Sequence, residues 1–430
     1  MRARIAVFSA VFAASFATPD TVSAQTIAIV GGKVHPVSGP VIENGTVLMR
    51  DGRIVAVGAN VAVPAGAQRI DATGKVVTPG IVNASTLLGL EEIGAVRTTS
   101  ESQARGKEGI AAAFRPWEGL NPTSMLFEPA RLGGITSSVV MPSGGLISGQ
   151  AAVIHLVEGT AAAMVLRAPV GMVASLGAGG GAARSPRAET LMRLREILED
   201  ARAFRTHRAE YERNQSRTLA ASRLDLEAML PVLDGREPLV ARIDKASDIE
   251  AAIRIAEEYK LKLIIAGGAE AWMMAARLAA AKIPVLTGAI NNIPQSFATL
   301  GQRQENAGLL AKAGVAVSVI GNAGGGGDEE TFNARNVRFE AGNAVAYGMD
   351  WNAALRAITL TPAETFGVAD RVGSLAPGKL ADVVIWSGDP FEFASRAEQV
   401  FVQGVQITQP SRQDLLESRY KTLPPNYRTP

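Results

Sequence analysis

The sequence predicts an α/β protein built on a (β/α)8, TIM-like barrel with β-rich segments at both ends of the chain. Three observations predict it. Short strands and tight turns fill residues 25–78. Across 79–371 apolar strand runs alternate with helical stretches, the pattern of βαβ units around a parallel sheet. Strand grammar returns at 372–408, followed by a C-terminal extension at 409–430.

The bounds agree with this. A chain of 430 residues suits one large barrel plus a smaller domain. Its 47% hydrophobic and 20% charged content is ordinary for a globular enzyme-like protein. A net charge of +2 gives no basis for nucleic acid or an anionic membrane as partner. With no cysteine, disulfides, thiol nucleophiles and cysteine-ligated zinc are excluded.

Residues 1–24 read as an export signal. Met1 to Arg4 is basic, 5–17 is apolar, and Val22-Ser23-Ala24 is a small-residue cleavage site. The apolar run is too short for stable membrane insertion. A periplasmic or secreted location is expected.

The first β-rich segment has strands flanking Gly31-Gly32 and a hairpin turn at Asp51-Gly52. It reads as a small antiparallel sandwich. The barrel strands are expected at 76–84, 135–141, 151–156, 170–174, 239–243, 261–265, 283–286 and 315–320. Helical patterns lie at 191–205, 248–259, 269–281, 296–313 and 351–359. The glycine-rich run 177–183 reads as a loop, and the charged stretch 184–223 as a solvated excursion outside the barrel.

Two motifs carry a family resemblance. Pro79-Gly80, two apolar residues, then Asn83-Ala84-Ser85-Thr86-Leu87 occupy the first barrel strand. Gly373, Pro377, Gly378, Lys379, Ala381 and Asp382 open the C-terminal β segment, after a helix carrying Pro362-Ala363-Glu364. In these the chain resembles the amidohydrolase superfamily, metal-dependent hydrolases of the imidazolonepropionase-like, composite-domain kind. The resemblance implies a barrel inserted into a β-sandwich formed by the N- and C-terminal segments. It also implies hydrolysis of non-peptide carbon–nitrogen bonds with zinc or a similar divalent metal.

The family draws metal ligands from two histidines of strand one, a lysine or glutamate of strand four, histidines of strands five and six, and an aspartate of strand eight. The matching positions here hold Ser85, Leu87, Arg242, Ala266 or Gly267, and Gly321 or Asn322; Arg167 is the basic residue nearest strand four. A guanidinium has only donors and cannot ligate a cation. The three histidines, His35, His155 and His207, fall at none of these positions, and His155 reads as a core residue. The expectation is therefore no metal and no cofactor.

The leading reading is a pseudoenzyme, a degenerate amidohydrolase that binds a small anionic ligand or supports a partner. That partner is expected to be a second copy of the chain or a paralogous amidohydrolase subunit. Candidate ligand-binding residues are Asn83, Ser85, Ser143, Gln150, Arg242, Asn322 and Arg335, with Ser143 and Gln150 in the glycine-rich loop 142–150. One alternative is an active hydrolase whose catalytic residues are Asp244, Glu270 and Asp328 with Arg242. Against ligand binding stands the reading in which Arg242 pairs with Asp244, Glu270 or Asp328 and simply replaces the metal's charge. A third reading is a structural or interaction subunit.

Overall fold

The computed structural model describes residues 26–177, 186–291, 293–294, 296–321, 329–410 and 412–421. Residues 1–25, which include the expected export signal, the glycine-rich run from 178, Asn322 and Asp328 lie outside the described residues.

The N-terminal strands are β1 (Thr26–Val34), β2 (Ile42–Arg50), β3 (Arg53–Gly58), β4 (Gln68–Asp71) and β5 (Val76–Pro79). Asp51 and Gly52 both have positive φ, 51° and 72°, the conformation that matches a two-residue hairpin turn to strand twist. The barrel strands are β6 (Ile81–Thr86), β7 (Ile135–Val140), β8 (Ile147–His155), β9 (Val165–Ser175), β10 (Leu239–Ile243), β11 (Leu263–Gly267), β12 (Val285–Thr287) and β13 (Val317–Val319). The C-terminal strands are β14 (Val383–Trp386), β15 (Ala397–Val402) and β16 (Val405–Gln406).

These strands make two eight-stranded sheets. In one, β14 pairs antiparallel with β5, so the two ends of the chain share a single continuous sheet of order β16-β15-β14-β5-β1-β2-β3, with β4 beside β1. The other runs in chain order from β6 to β13, and its two edge strands approach one another to leave a nearly closed barrel.

One barrel strand departs from the expected parallel order. β8 is antiparallel to both β7 and β9. The reason is the length of the connection. Residues 141–146 separate β7 from β8, and a parallel crossover needs a dozen or more. Gly144 and Gly145, with φ of 86° and 70°, turn the chain straight back.

Inside the barrel Val82, Val139, Val153, Val173, Val240, Ile264 and Leu286 pack in one buried cluster, closed below by Phe366, Val368 and Leu380. Each such side chain contributes about 1.5–3 kcal/mol by leaving water. Outside, the helix Ala246–Tyr259 buries Ile249, Ala252, Ile253 and Ala256 at helical spacing and ends at Lys260, whose φ is 58°. The helix Arg187–Thr206 corrects the expected solvated excursion. Its Leu194, Ile197, Leu198, Ala201 and Phe204 form a buried stripe beneath a charged outer face.

The barrel and the terminal sheet meet at Gly80. Its N–H donates to Asp382 O at 3.0 Å. A Cβ there would lie 2.2 Å from Thr136, so only glycine fits. Beside it, His155 Nε2–H donates to the Asp382 carboxylate, at 2.9 and 3.0 Å from its two oxygens. Both residues are 3% exposed. Asp382 Oδ1 also accepts from Gln403 N at 2.9 Å, and Trp386 Nε1 donates to Thr78 Oγ1 at 2.9 Å.

Removing one partner of a buried ionisable pair strands the other in a dry site. Asp382→Ala is therefore expected to cost about 3–5 kcal/mol, read as a lowered denaturation midpoint. A double-mutant cycle with His155→Ala should show that the two losses do not add.

Candidate functional site at the barrel mouth

In a barrel of this kind side chains at the carboxyl ends of the parallel strands face a common mouth. On β6 the strand register slips between Asn83 and Thr86. Asn83 holds the bulge. Its Oδ1 accepts from Ser85 N at 3.2 Å, and its Nδ2 donates to Ala334 O at 3.1 Å. Asn83 is fully buried and its amide is spent on backbone, so it shapes the strand and offers nothing to a ligand. The bulge turns Ser85 toward the mouth, where its Oγ donates to Glu330 Oε1 at 2.8 Å.

Glu330 enters on the segment after β13, anchored by Leu87 N donating to its carbonyl at 2.7 Å. Arg242 reaches it from β10. Val240 belongs to the barrel interior, and strand alternation puts Arg242 on the same face. Its Nη2 lies 3.6 Å from Glu330 Oε1, beyond hydrogen-bond range. Among the described residues Glu330 is the carboxylate beside Arg242; Asp244 and Glu270 make no ion pair with it. The Nε and Nη2 atoms of Arg242 are buried and, among the described residues, have no hydrogen-bond partner.

Asp244 borders the same cavity as Arg242. Burial raises its carboxyl pKa; the Ala269 N–H at 3.4 Å opposes the shift, and the nearby Glu270 charge adds to it. A Cβ on Gly267 would lie 2.6 Å from Asp244 Oδ1, and Gly267 has φ of 95°, so glycine is required beside it. Glu270 is buried and committed. Its Oε2 accepts from Ala246 N at 3.0 Å and its Oε1 from Gly301 N at 2.9 Å. That fixes two loops and leaves Glu270 poorly placed for acid–base work.

Two cavities open at the mouth. One, of about 420 Å³, is lined by Arg242, Asp244, Thr287, Gln302, Arg303 and Glu330. The other, of about 690 Å³, is lined by Leu87, Glu91, Glu92, Ser102, Ser143 and Glu330. Glu330 is the wall between them.

The structure thus brings Ser85, Arg242 and Asp244 together and places Ser143 across Glu330. It does not bring Gln150 or Arg335 to them. Gln150 is buried on β8, donating to Ala112 O at 3.1 Å. The Cβ of Arg335 lies against Gly133, just before β7, at the opposite end of that strand from the mouth. Arg167 lies at the far face too, donating to Gly367 O at 2.5 Å. Asn322 and Asp328 lie outside the described residues. Glu330 is the residue that sequence reading missed; its signal is the run Asp328-Glu329-Glu330 directly after the glycines that follow β13.

Comparison with known proteins supports the fold. The model of the amidohydrolase family matches residues 239–408. The solved amidohydrolase from Thermotoga maritima MSB8 is 28% identical with a TM-score of 0.79, covering 89% of this chain and 100% of that one. The chain is thus similar to the amidohydrolase superfamily, through the family model over residues 239–408 and through a shared fold along most of its length. Amidohydrolase tasK from Hapsidospora irregularis is 24% identical over 393 residues, which cover 84% of this chain and 39% of that longer protein.

A solved adenosine deaminase from Xanthomonas campestris with bound zinc shares the amidohydrolase fold, at 18% identity and a TM-score of 0.52, with 92% and 97% of the two chains covered. That zinc, in a superfamily whose members are typically metal-dependent, overturns the expectation that no cofactor is to be assigned. Among the described residues no three His, Cys, Asp or Glu side chains gather to hold a metal ion. A serine hydroxyl, that of Ser85, and a guanidinium, that of Arg242, stand at the ends of the first and fifth barrel strands.

The Asp244 carboxyl holds its proton to higher pH in the folded chain than in the unfolded one. Its ionisation therefore opposes folding increasingly as pH rises from the ordinary carboxylate range through the folded value. Asp244→Asn removes that penalty. The variant is expected to melt above the parent at about pH 7, the gap closing toward about pH 3, in thermal melts run across that range.

Proposed function

We propose that this amidohydrolase-like protein binds a small carboxylate-bearing molecule in the mouth of its barrel. The observation that supports the reading is the state of Arg242. The Nε–Nη2 edge of a guanidinium is a fork that matches a carboxylate with two parallel hydrogen bonds, and on Arg242 both atoms of that fork lack a partner among the described residues. A buried donor left unpaired costs free energy that a ligand returns on binding. The surrounding Gln302 and Thr287 line the same cavity and suit the polar remainder of a small amide. The basic-then-apolar N-terminus supports export as part of this reading.

A second reading is turnover of an amide at the same place, and Asp244 favours it. A carboxyl whose pKa is raised toward working pH is suited to general acid–base catalysis. Under this reading Arg242 orients the carboxylate and Asp244 exchanges a proton with the scissile group. A screen of amides, lactams and N-acyl amino acids tests it, with turnover expected to vanish in Asp244→Ala.

Binding is tested by isothermal titration calorimetry with N-acetylglycine, and with its methyl ester as the uncharged control. The acid should bind and the ester should not. Arg242→Ala should weaken binding by roughly 10- to 100-fold, the value of charge-assisted hydrogen bonds. Affinity that survives Arg242→Ala but disappears when a chelator strips divalent ions would overturn the reading.

A further inference from the structure

We infer that Glu330 is a displaceable latch on the Arg242 site, a carboxylate of the chain itself that a ligand carboxylate must move to bind. The inference rests on the proposed carboxylate site and adds the residue that sets its affinity.

Three observations carry it. The first is cover. Although the Arg242 side chain is 28% exposed, its Nε and Nη2 atoms are sealed from solvent. A ligand therefore reaches the fork only after something moves. The second is position. Glu330 Oε1 is 3.6 Å from Nη2, near enough for attraction and too far for a hydrogen bond, so it occupies the site without satisfying it. The third is how Glu330 is held. Its main chain is fixed by Leu87 N at 2.7 Å, whereas the hydrogen bond found on its carboxylate comes from Ser85 Oγ at 2.8 Å. A side chain on a fixed backbone with one neutral tether can swing without unfolding the loop.

The contrast with other buried carboxylates supports this. Glu270 takes backbone N–H groups on both oxygens. Glu340 Oε2 accepts from Ala289 N at 2.7 Å and Ile290 N at 2.8 Å. Those acids are locked in place by the fold. Glu330, 21% exposed, is also the wall shared by the two mouth cavities. Swinging it uncovers the Arg242 fork and joins the cavities, so the favoured ligand is a carboxylate whose remainder extends toward Ser143 and Glu91.

The test titrates N-acetylglycine into the full mature chain and its variants. Glu330→Ala removes the competitor and should tighten binding about tenfold or more; Glu330→Gln, which keeps a hydrogen-bonding side chain of the same size, should tighten it as well. Ser85→Ala, which cuts only the tether, should tighten it by a smaller factor. The gain must be lost in the double variant Arg242→Ala/Glu330→Ala. Equal binding by parent and both Glu330 variants, abolished by Arg242→Ala, would overturn the latch and leave the carboxylate site standing. No binding by the parent or by either Glu330 variant would overturn both. Melting curves on each variant establish that it is folded, and Glu330→Gln carries the test if Glu330→Ala is not.

Discussion

The structure depends on one joint, the place where the two ends of the chain meet beneath the barrel. Strand β14 zips onto β5, Gly80 lets the chain pass from sheet to barrel within van der Waals contact of Thr136, and His155 reaches down to Asp382. Burying an imidazole and a carboxylate costs desolvation energy, which is recovered only when their hydrogen-bonding capacity is met. The Asp382 carboxylate accepts from both His155 Nε2 and Gln403 N, and the Asp382 main-chain carbonyl separately accepts from Gly80 N. Barrel, first strand and C-terminal segment are thereby held in one register.

The reversed strand β8 belongs to the same constraint. In a parallel barrel the last residue of a strand faces the mouth. Because β8 runs the other way, its last residue, His155, lies at the floor. That is why a histidine on a barrel strand serves the joint and takes no part in the mouth. The short connection 141–146 that reverses the strand also places Ser143 at the rim. A single hairpin thus supplies a structural group below and a polar group above.

Much of this is legible in the sequence, and the parts that are not have identifiable reasons. Pro79-Gly80 and the Pro377–Asp382 motif mark the joint, since a close backbone approach demands glycine and the motif's aspartate turns out to be the partner of His155. Strand and helix alternation marks the barrel. The reversal of β8 was hidden because β8 is buried along its whole length and therefore reads as an apolar run in either direction. Asn83 misleads because an amide at a strand end looks like a ligand group until the bulge it stabilises is seen. Glu330 was hidden because its role comes from a loop returning to the mouth, and no spacing rule connects it to Ser85 or Arg242 across more than eighty residues. Arg242 itself was readable, since a guanidinium on an otherwise apolar strand needs an anion.

The fold holds its shape whatever stands at the mouth. The barrel interior is filled by valine, isoleucine, leucine and phenylalanine lying below the level of Ser85 and Arg242, and the terminal sheet has its own cluster around Ile29, Val47 and Phe401. Neither cluster draws on the mouth residues. A scaffold stabilised in this way tolerates a change of chemistry at its strand ends, because the side chains there are answerable to a ligand and to each other rather than to the core. The pairing of Arg242 with Glu330 fits that freedom. A guanidinium with two buried donors would be costly alone, and an acid from a returning loop offsets its charge without fixing its hydrogen bonds. The result is a site that is electrically balanced when empty and still has two donors to offer, and such a site can exchange its own carboxylate for another.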